Sequence, residues 1–226
     1  MLGTHKNFKH LPTITGLFVA VLIISNIAST KLSSFWGLTL DAGTVLFPLS
    51  YIFSDVLTEV YGFARARRVI WTGFAGIALA SLTFYLVQLL PAAADWPNQG
   101  AYEAILGLVP RIVAGSLAGY FCGEFANSYV LARMKVATKG KWLWSRTIGS
   151  TLIGELVDTL VFSLIAFYGS VPASVFVALV VSNYVFKTAV EVVFTPVTYA
   201  ITKWLKKAED EDYYDKDTDF NPFKVA

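Results

Sequence analysis

The chain is expected to be all-α, a polytopic membrane protein of six transmembrane helices with N- and C-termini in the cytoplasm. Three observations lead there. Of 226 residues, 55% are hydrophobic and only 15% charged, with a mean hydropathy of +0.57, more apolar matter than one soluble core of this size requires. Apolar windows of roughly 20 residues, the length that crosses a ~30 Å hydrocarbon layer, recur between polar breaks. Lys and Arg collect in alternate loops, the mark of cytoplasmic segments.

The windows run 11–29, 44–64, 69–90, 105–132, 147–168 and 173–204. The first follows His5, Lys6 and Lys9, a basic start that also suits a signal peptide, but no clear small-residue cleavage site precedes the polar loop, so it reads as a retained helix. The second ends on Arg65, Arg67 and Arg68. The fourth ends before Arg133, Lys135, Lys139, Lys141 and Arg146, and carries Gly115, Gly119 and Gly123 at the four-residue spacing that lets another backbone approach. Packing within the chain is the favoured use of that stripe, a homodimer seam the alternative. The sixth ends among Lys203, Lys206 and Lys207, and like the fourth exceeds a simple span, which implies tilt, extension into water or a break near Pro196. Loops 30–43, 91–104 and 169–172 then lie outside, with Lys31 the exception. Residues 1–205 form one membrane domain, and the acidic segment 206–226 is expected to be a solvated cytoplasmic tail.

Several chemistries are excluded at once. Cys122 is the one cysteine, and His5 and His10 both precede the first window, so neither a disulfide nor a zinc or haem site has its ligands. No cofactor is implied. A net charge of +2, with cations sorted by loop, gives no nucleic-acid surface.

What composition does not explain is the set of charges inside the windows: Asp55, Glu59, Glu124, Glu155, Asp158 and Glu191, against Arg111 and Lys187. An ionised group at the bilayer centre costs ~2.5–3.5 kcal/mol on insertion scales, so such groups face a cavity or a partner. Residues four apart share a helix face. Tyr51, Asp55 and Glu59 make one row, Thr151, Glu155 and Asp158 share a side of the fifth helix, and Asn183, Lys187 and Glu191 make a row on the sixth. Asp55, Asp158 and Lys187 fall near mid-membrane, with Glu59 and Glu191 nearer the cytoplasm, so the rows can converge on one pocket.

Each group has a plainer use. Lys187 serves equally well as a structural partner of Glu191 or of an acid on another helix. Arg111 is placed to snorkel to headgroups, and Glu124, with Asn127, to reach water at the cytoplasmic end of its helix. For Asp55 and Asp158, without a cation on their own helices, ligand contact is the favoured reading. Acids outnumber cations six to two, which suits a ligand rich in N–H donors: a carboxylate accepts two parallel N–H bonds, as the edge of a guanine-like heterocycle offers, and aromatic residues can stack on its face. Oxygen ligands are too sparse along these rows for calcium or magnesium.

The stretch FPLSYIFSDVLTEVYG with ARR after it, GELVDTLVFSLIAF, and NYVFKTAVEVVFTP together resemble the queuosine precursor transporter family, also called the vitamin uptake transporter family. NIASTK at 26–31 is similar to that family's first helix. The resemblance implies a prokaryotic inner-membrane importer of 7-deazaguanines such as preQ0 and preQ1 for salvage into tRNA queuosine. It carries a signature acid to Asp55, with Glu59 beside it, the helix-five acid to Asp158 and the basic residue to Lys187. The substrate-binding set expected on these grounds is Asp55, Asp158, Lys187, Asn183, Tyr51 and Asn26, with Glu59, Glu155, Glu191 and Arg111 as proton-coupling or pocket-supporting groups. The chain has no nucleotide-binding motif, so a separate ATPase module stays open. The alternative is the substrate-binding component of an energy-coupling-factor vitamin transporter, also of six helices. An intramembrane enzyme working through paired carboxylates lacks metal ligands and a nucleophile–base pair, and no enzymatic activity is expected.

Overall fold

The structure, a computed structural model, describes residues 7–28, 31–35, 38–106, 110–169 and 172–224. Seven α-helices follow one another: α1 Leu11–Ala28, α2 Phe47–Tyr61, α3 Phe63–Gln88, α4 Gln99–Leu106, α5 Pro110–Ala137, α6 Leu143–Phe167 and α7 Ala173–Glu209. One departure from an all-α chain lies between α1 and α2. There, β1 (Leu32–Phe35) and β2 (Leu38–Asp41) pair antiparallel with Leu32 opposite Asp41 and Phe35 opposite Leu38, and a 3₁₀ turn over Ala42–Val45 leads into α2.

Among the described residues four helices are long and apolar enough to cross a membrane: α1, α3, α6 over Leu143–Ile165 and α7 over Phe176–Glu209. They leave large apolar side chains on the surface, among them Leu79, Leu82 and Leu86 on α3, Leu156, Leu160 and Leu164 on α6, and Val181, Val185 and Val193 on α7. Exposed apolar stripes of this extent belong to a protein solvated by lipid. The chain is a multi-pass membrane protein.

The expected second and fourth spans turn out differently. At 15 residues, α2 rises only ~22 Å, and it is wrapped by α1, α3, α5 and α7. Its polar residues Ser50, Ser54, Asp55, Thr58 and Glu59 are all buried against neighbouring helices. A helix enclosed by protein need not be apolar all round. The longer α5 lies along α6. An ideal Cβ on Gly123 would stand 2.5 Å from Tyr51 Oη and 2.9 Å from the Gly154 carbonyl, and one on Gly119 would stand 2.9 Å from the Asp158 carbonyl. These glycines therefore serve α5–α6 packing within the chain.

Gly62, at φ 86°, ends α2, and α3 begins at the next residue. That conformation is open to glycine and strained for other residues. The corner draws Arg65, Arg67 and Arg68 into the first turns of α3, where the sequence pattern places them in a loop, and Arg67 is buried. Pro196 does not interrupt α7, which runs as one helix of 37 residues.

The C-terminal segment also departs from expectation. Helix α7 continues to Glu209, and the residues beyond it fold back over the end of the bundle where the Gly62 corner lies. Tyr213 N–H donates to Val60 O at 3.1 Å, Phe63 N–H donates to both Asp215 oxygens at 3.1 Å, and Trp71 Nε1 donates to Pro222 O at 2.8 Å. Phe220 stacks on Phe63 and Tyr129 at 5.0 Å. Lys9 and His10 lie at the same end, where their N–H groups donate to the Glu209 carboxylate at 3.0 and 2.6 Å. Donors left over at a helix corner need acceptors, and the tail's carboxylates and carbonyls supply them; a solvated tail leaves them empty.

A buried acidic cluster as candidate functional site

Two groups of buried charge sit at different heights along α2. The one nearer the tail is neutralised. Glu59 accepts a forked pair of bonds from Arg146 of α6 and one from Lys206 of α7 at 2.6 Å. Lys135 of α5 stands 3.6 Å from Glu59 Oε1 and donates to the Glu59 carbonyl at 2.5 Å. Lys135 and Lys206 also hold Asp212 of the tail, at 2.5 and 2.9 Å. Burial pushes the Asp212 carboxyl up, but the bonds from Lys135 and Lys206 outweigh it and hold it below the usual carboxylate range. Two acids and three bases make a closed ionic knot that ties five chain segments together. Of the two roles expected for Glu59, this geometry serves support.

One turn up α2, the balance reverses. Asp55 of α2, Glu124 of α5, Glu155 and Asp158 of α6 and Glu191 of α7 are each at most 3% exposed. Glu124 lies within electrostatic reach of Asp55, Glu155 and Asp158, and Glu191 within reach of Asp55, Glu124 and Glu155. Among the described side chains the cation paired with these acids is Lys187, with its Nζ 2.5 Å from Asp158 Oδ2 and 3.5 Å from Glu155 Oε2, while Arg146, held by Glu59, reaches Asp55 only at longer range. Lys187 thus pairs with α6 and not with Glu191 on its own helix, because α7 packs along α6 and turns that face toward it. Asn127 Nδ2 donates to Asp55 Oδ1 at 2.8 Å, while Asp55 Oδ2 and Asn127 Oδ1 have no partner among the described residues. Below them Ser128 joins Ser54 and Thr58 at 2.9 and 3.1 Å.

Tyr51 is fully buried with its ring between α5 and α6, facing Glu124, Glu155 and Asp158. Asn183 is half-buried one turn along α7 from Lys187. Asn26 is not brought here. It donates to Leu22 O of its own helix at 3.0 Å and lines a separate crevice of about 320 Å³ with Ile77, Phe84 and Ile105. The side chain of Arg111 lies outside the described residues. The residue the sequence reading set aside is Glu124: expected to reach water, it is fully buried among the other acids. Its signal was present in Gly123 beside it and Asn127 one turn on, which mark the face of α5 that meets α2 and α6.

Chemically, five carboxylates with one ammonium make a site starved of hydrogen-bond donors. Carboxylates need donors once removed from water, so the arrangement suits a ligand that brings N–H groups.

The family model described as "Putative vitamin uptake transporter" matches residues 41–201, which include every one of these acids and Lys187. The chain belongs to this family of vitamin uptake transporters. It is 34% identical over 201 residues to a Bacillus subtilis protein named "Probable queuosine precursor transporter", with 86% of each chain covered. It is 27% identical over 199 residues to the Escherichia coli "Queuosine precursor transporter", with 87% of each covered. No solved structure matches the chain.

Proposed function

We propose that this chain is a prokaryotic inner-membrane transporter that imports queuosine precursors, 7-deazaguanines of the preQ0 and preQ1 type, and that the acidic cluster around Asp55, Glu155, Asp158, Lys187 and Glu191 is its substrate site, with Tyr51 and Asn183 at its margin. The kinship carries the transport reading: two relatives matching over 86–87% of the chain bear that activity in their names. The donor-poor cluster supports the ligand class, because the Watson–Crick edge of a 7-deazaguanine presents a ring N–H and an exocyclic amine side by side.

Six crossings fit the reading, with α2 and α5 as protein-enclosed spans beside the four apolar ones. The residues just before α1, the Gly62 corner, the 138–142 turn and the tail all meet at one end, which also holds Arg65, Arg67, Lys135, Arg146 and Lys206; by the positive-inside rule that end faces the cytoplasm. The test is rescue of tRNA queuosine by low external preQ0 in a salvage-dependent strain. Asp55→Ala and Asp158→Ala should abolish it, and normal rescue at normal expression sinks the site.

A further inference from the structure

The acids of the cluster are not equivalent. Asp158 is engaged by Lys187 at 2.5 Å and Asp55 by Asn127 at 2.8 Å, and Glu155 has the Lys187 ammonium at 3.5 Å. Glu124 and Glu191 differ in having no cation: like those of Glu155, their oxygens make no close hydrogen bond among the described residues, and the Ser54 hydroxyl that acts on Glu124 is already shared with Ser128. Glu124 is fully buried on the face of α5 turned to α2 and α6, with Tyr51 and Tyr120 as its aromatic neighbours. Its position follows from its neighbours in sequence. Gly123 and Gly154 bring α5 and α6 to backbone contact, and Glu124 beside them is buried within electrostatic reach of Asp55.

A buried carboxylate with both oxygens unpaired is the costliest polar group to leave without donors. Two parallel N–H donors on one edge satisfy both oxygens at once, the same fork that arginine offers. A guanine-like edge has that fork, and flat tyrosine rings give its faces something to stack on. We infer that Glu124 reads the N–H edge of the substrate and is the specificity-determining residue for its exocyclic amine. Asp158 and Lys187 then hold the site together as a bridge between α6 and α7. This assignment rests on the transport reading above and names the residue that reads that substrate.

The test uses the full chain purified in detergent and two probes, 7-deazaguanine and 7-deazahypoxanthine, its analogue without the exocyclic amine. A hydrogen bond to a charged group distinguishes the two by roughly 10–100-fold, so the wild-type chain should bind the amine-bearing probe at least about tenfold more tightly. Glu124→Gln removes the two-acceptor edge at constant size. It should bring the two affinities within about threefold of each other by weakening the amine-bearing probe much more than the other, which keeps its single ring N–H on the remaining amide oxygen. Retained discrimination in E124Q, or an equal loss on both probes, overturns the assignment. Glu124→Asp covers the case in which the amide does not fold. Withdrawing the carboxylate by one methylene should cost the amine-bearing probe, which loses two bonds, roughly tenfold more than the other, which loses one, and equal losses again overturn it. Binding of neither probe by the wild-type chain overturns the transport reading, and this assignment with it.

Discussion

Lys187 Nζ lies 2.5 Å from Asp158 Oδ2, joining α7 to α6 through two side chains that are 12% and 4% exposed. Removing one partner of such a buried pair costs about 3–5 kcal/mol, because the other charge is stranded, whereas removing both is close to neutral. Lys187→Met should therefore lower the melting temperature in detergent markedly, and the double variant Lys187→Met/Asp158→Asn should recover part of it, the remainder reflecting Glu155 left without its ammonium. A double variant as unstable as the single one is the result that excludes this pairing.

Gly123 sets the spacing of α5 and α6. A methyl group there meets Tyr51 Oη at 2.5 Å, Asp158 Cβ at 2.6 Å and the Gly154 carbonyl at 2.9 Å. The last contact is backbone, so relief requires the helices to part. Gly123→Ala should cost about 1–3 kcal/mol, the usual penalty of overpacking, and reduce uptake by displacing Tyr51 and Asp158. Wild-type melting and uptake in that variant contradict the close packing.

The tail is expected to act as a structural clamp. Truncation after Asp210 removes the acceptors of Phe63 N–H, Arg67 and Trp71 and leaves Lys135 without its bonds to Asp212 and Tyr213. It should lower thermal stability and raise protease sensitivity at the Gly62 corner. Asp212 adds a pH signature. Its carboxyl is held below the usual range by Lys135 and Lys206, so its contribution is present above that range and is lost as the pH falls through the lowered value. Asp212 is 45% exposed, which keeps the effect small. Asp212→Asn should remove that acid-side loss while leaving the rest of the stability curve in shape, and an unchanged acid limb argues against the pairing.

Topology is open to cysteine labelling. With Cys122→Ala as background, a cysteine at the exposed Trp142 should react with an impermeant maleimide only after the cells are opened. One at the exposed Ala93, in the turn after α3, should react in intact cells. The reverse pattern inverts the orientation.

Much of this was legible in the sequence because it depends on local quantities. Hydropathy over a window reports lipid contact one helix at a time, so the bounds of α1, α6 and the start of α7 emerged within a residue or a few of those observed. Four-residue spacing put Asp55 and Glu59 on one face of α2. It did not separate their surroundings, since Glu59 meets Arg146 and Lys206, residues 87 and 147 positions away in the chain.

By itself the sequence determined that this is a helical membrane protein, which ends of its helices carry positive charge, and that acids lie in its spans, because each follows from the composition of a short stretch. Only the tertiary structure decided that α2 is enclosed by protein, that the tail is docked, that Arg146 and Lys135 are partners of Glu59 instead of free loop and helix-end cations, and that Glu124 belongs with Asp55. Those outcomes turn on which helix face meets which. Glycine contacts between α5 and α6 and the single-residue corner at Gly62 set them, through distances that no local pattern of hydropathy encodes.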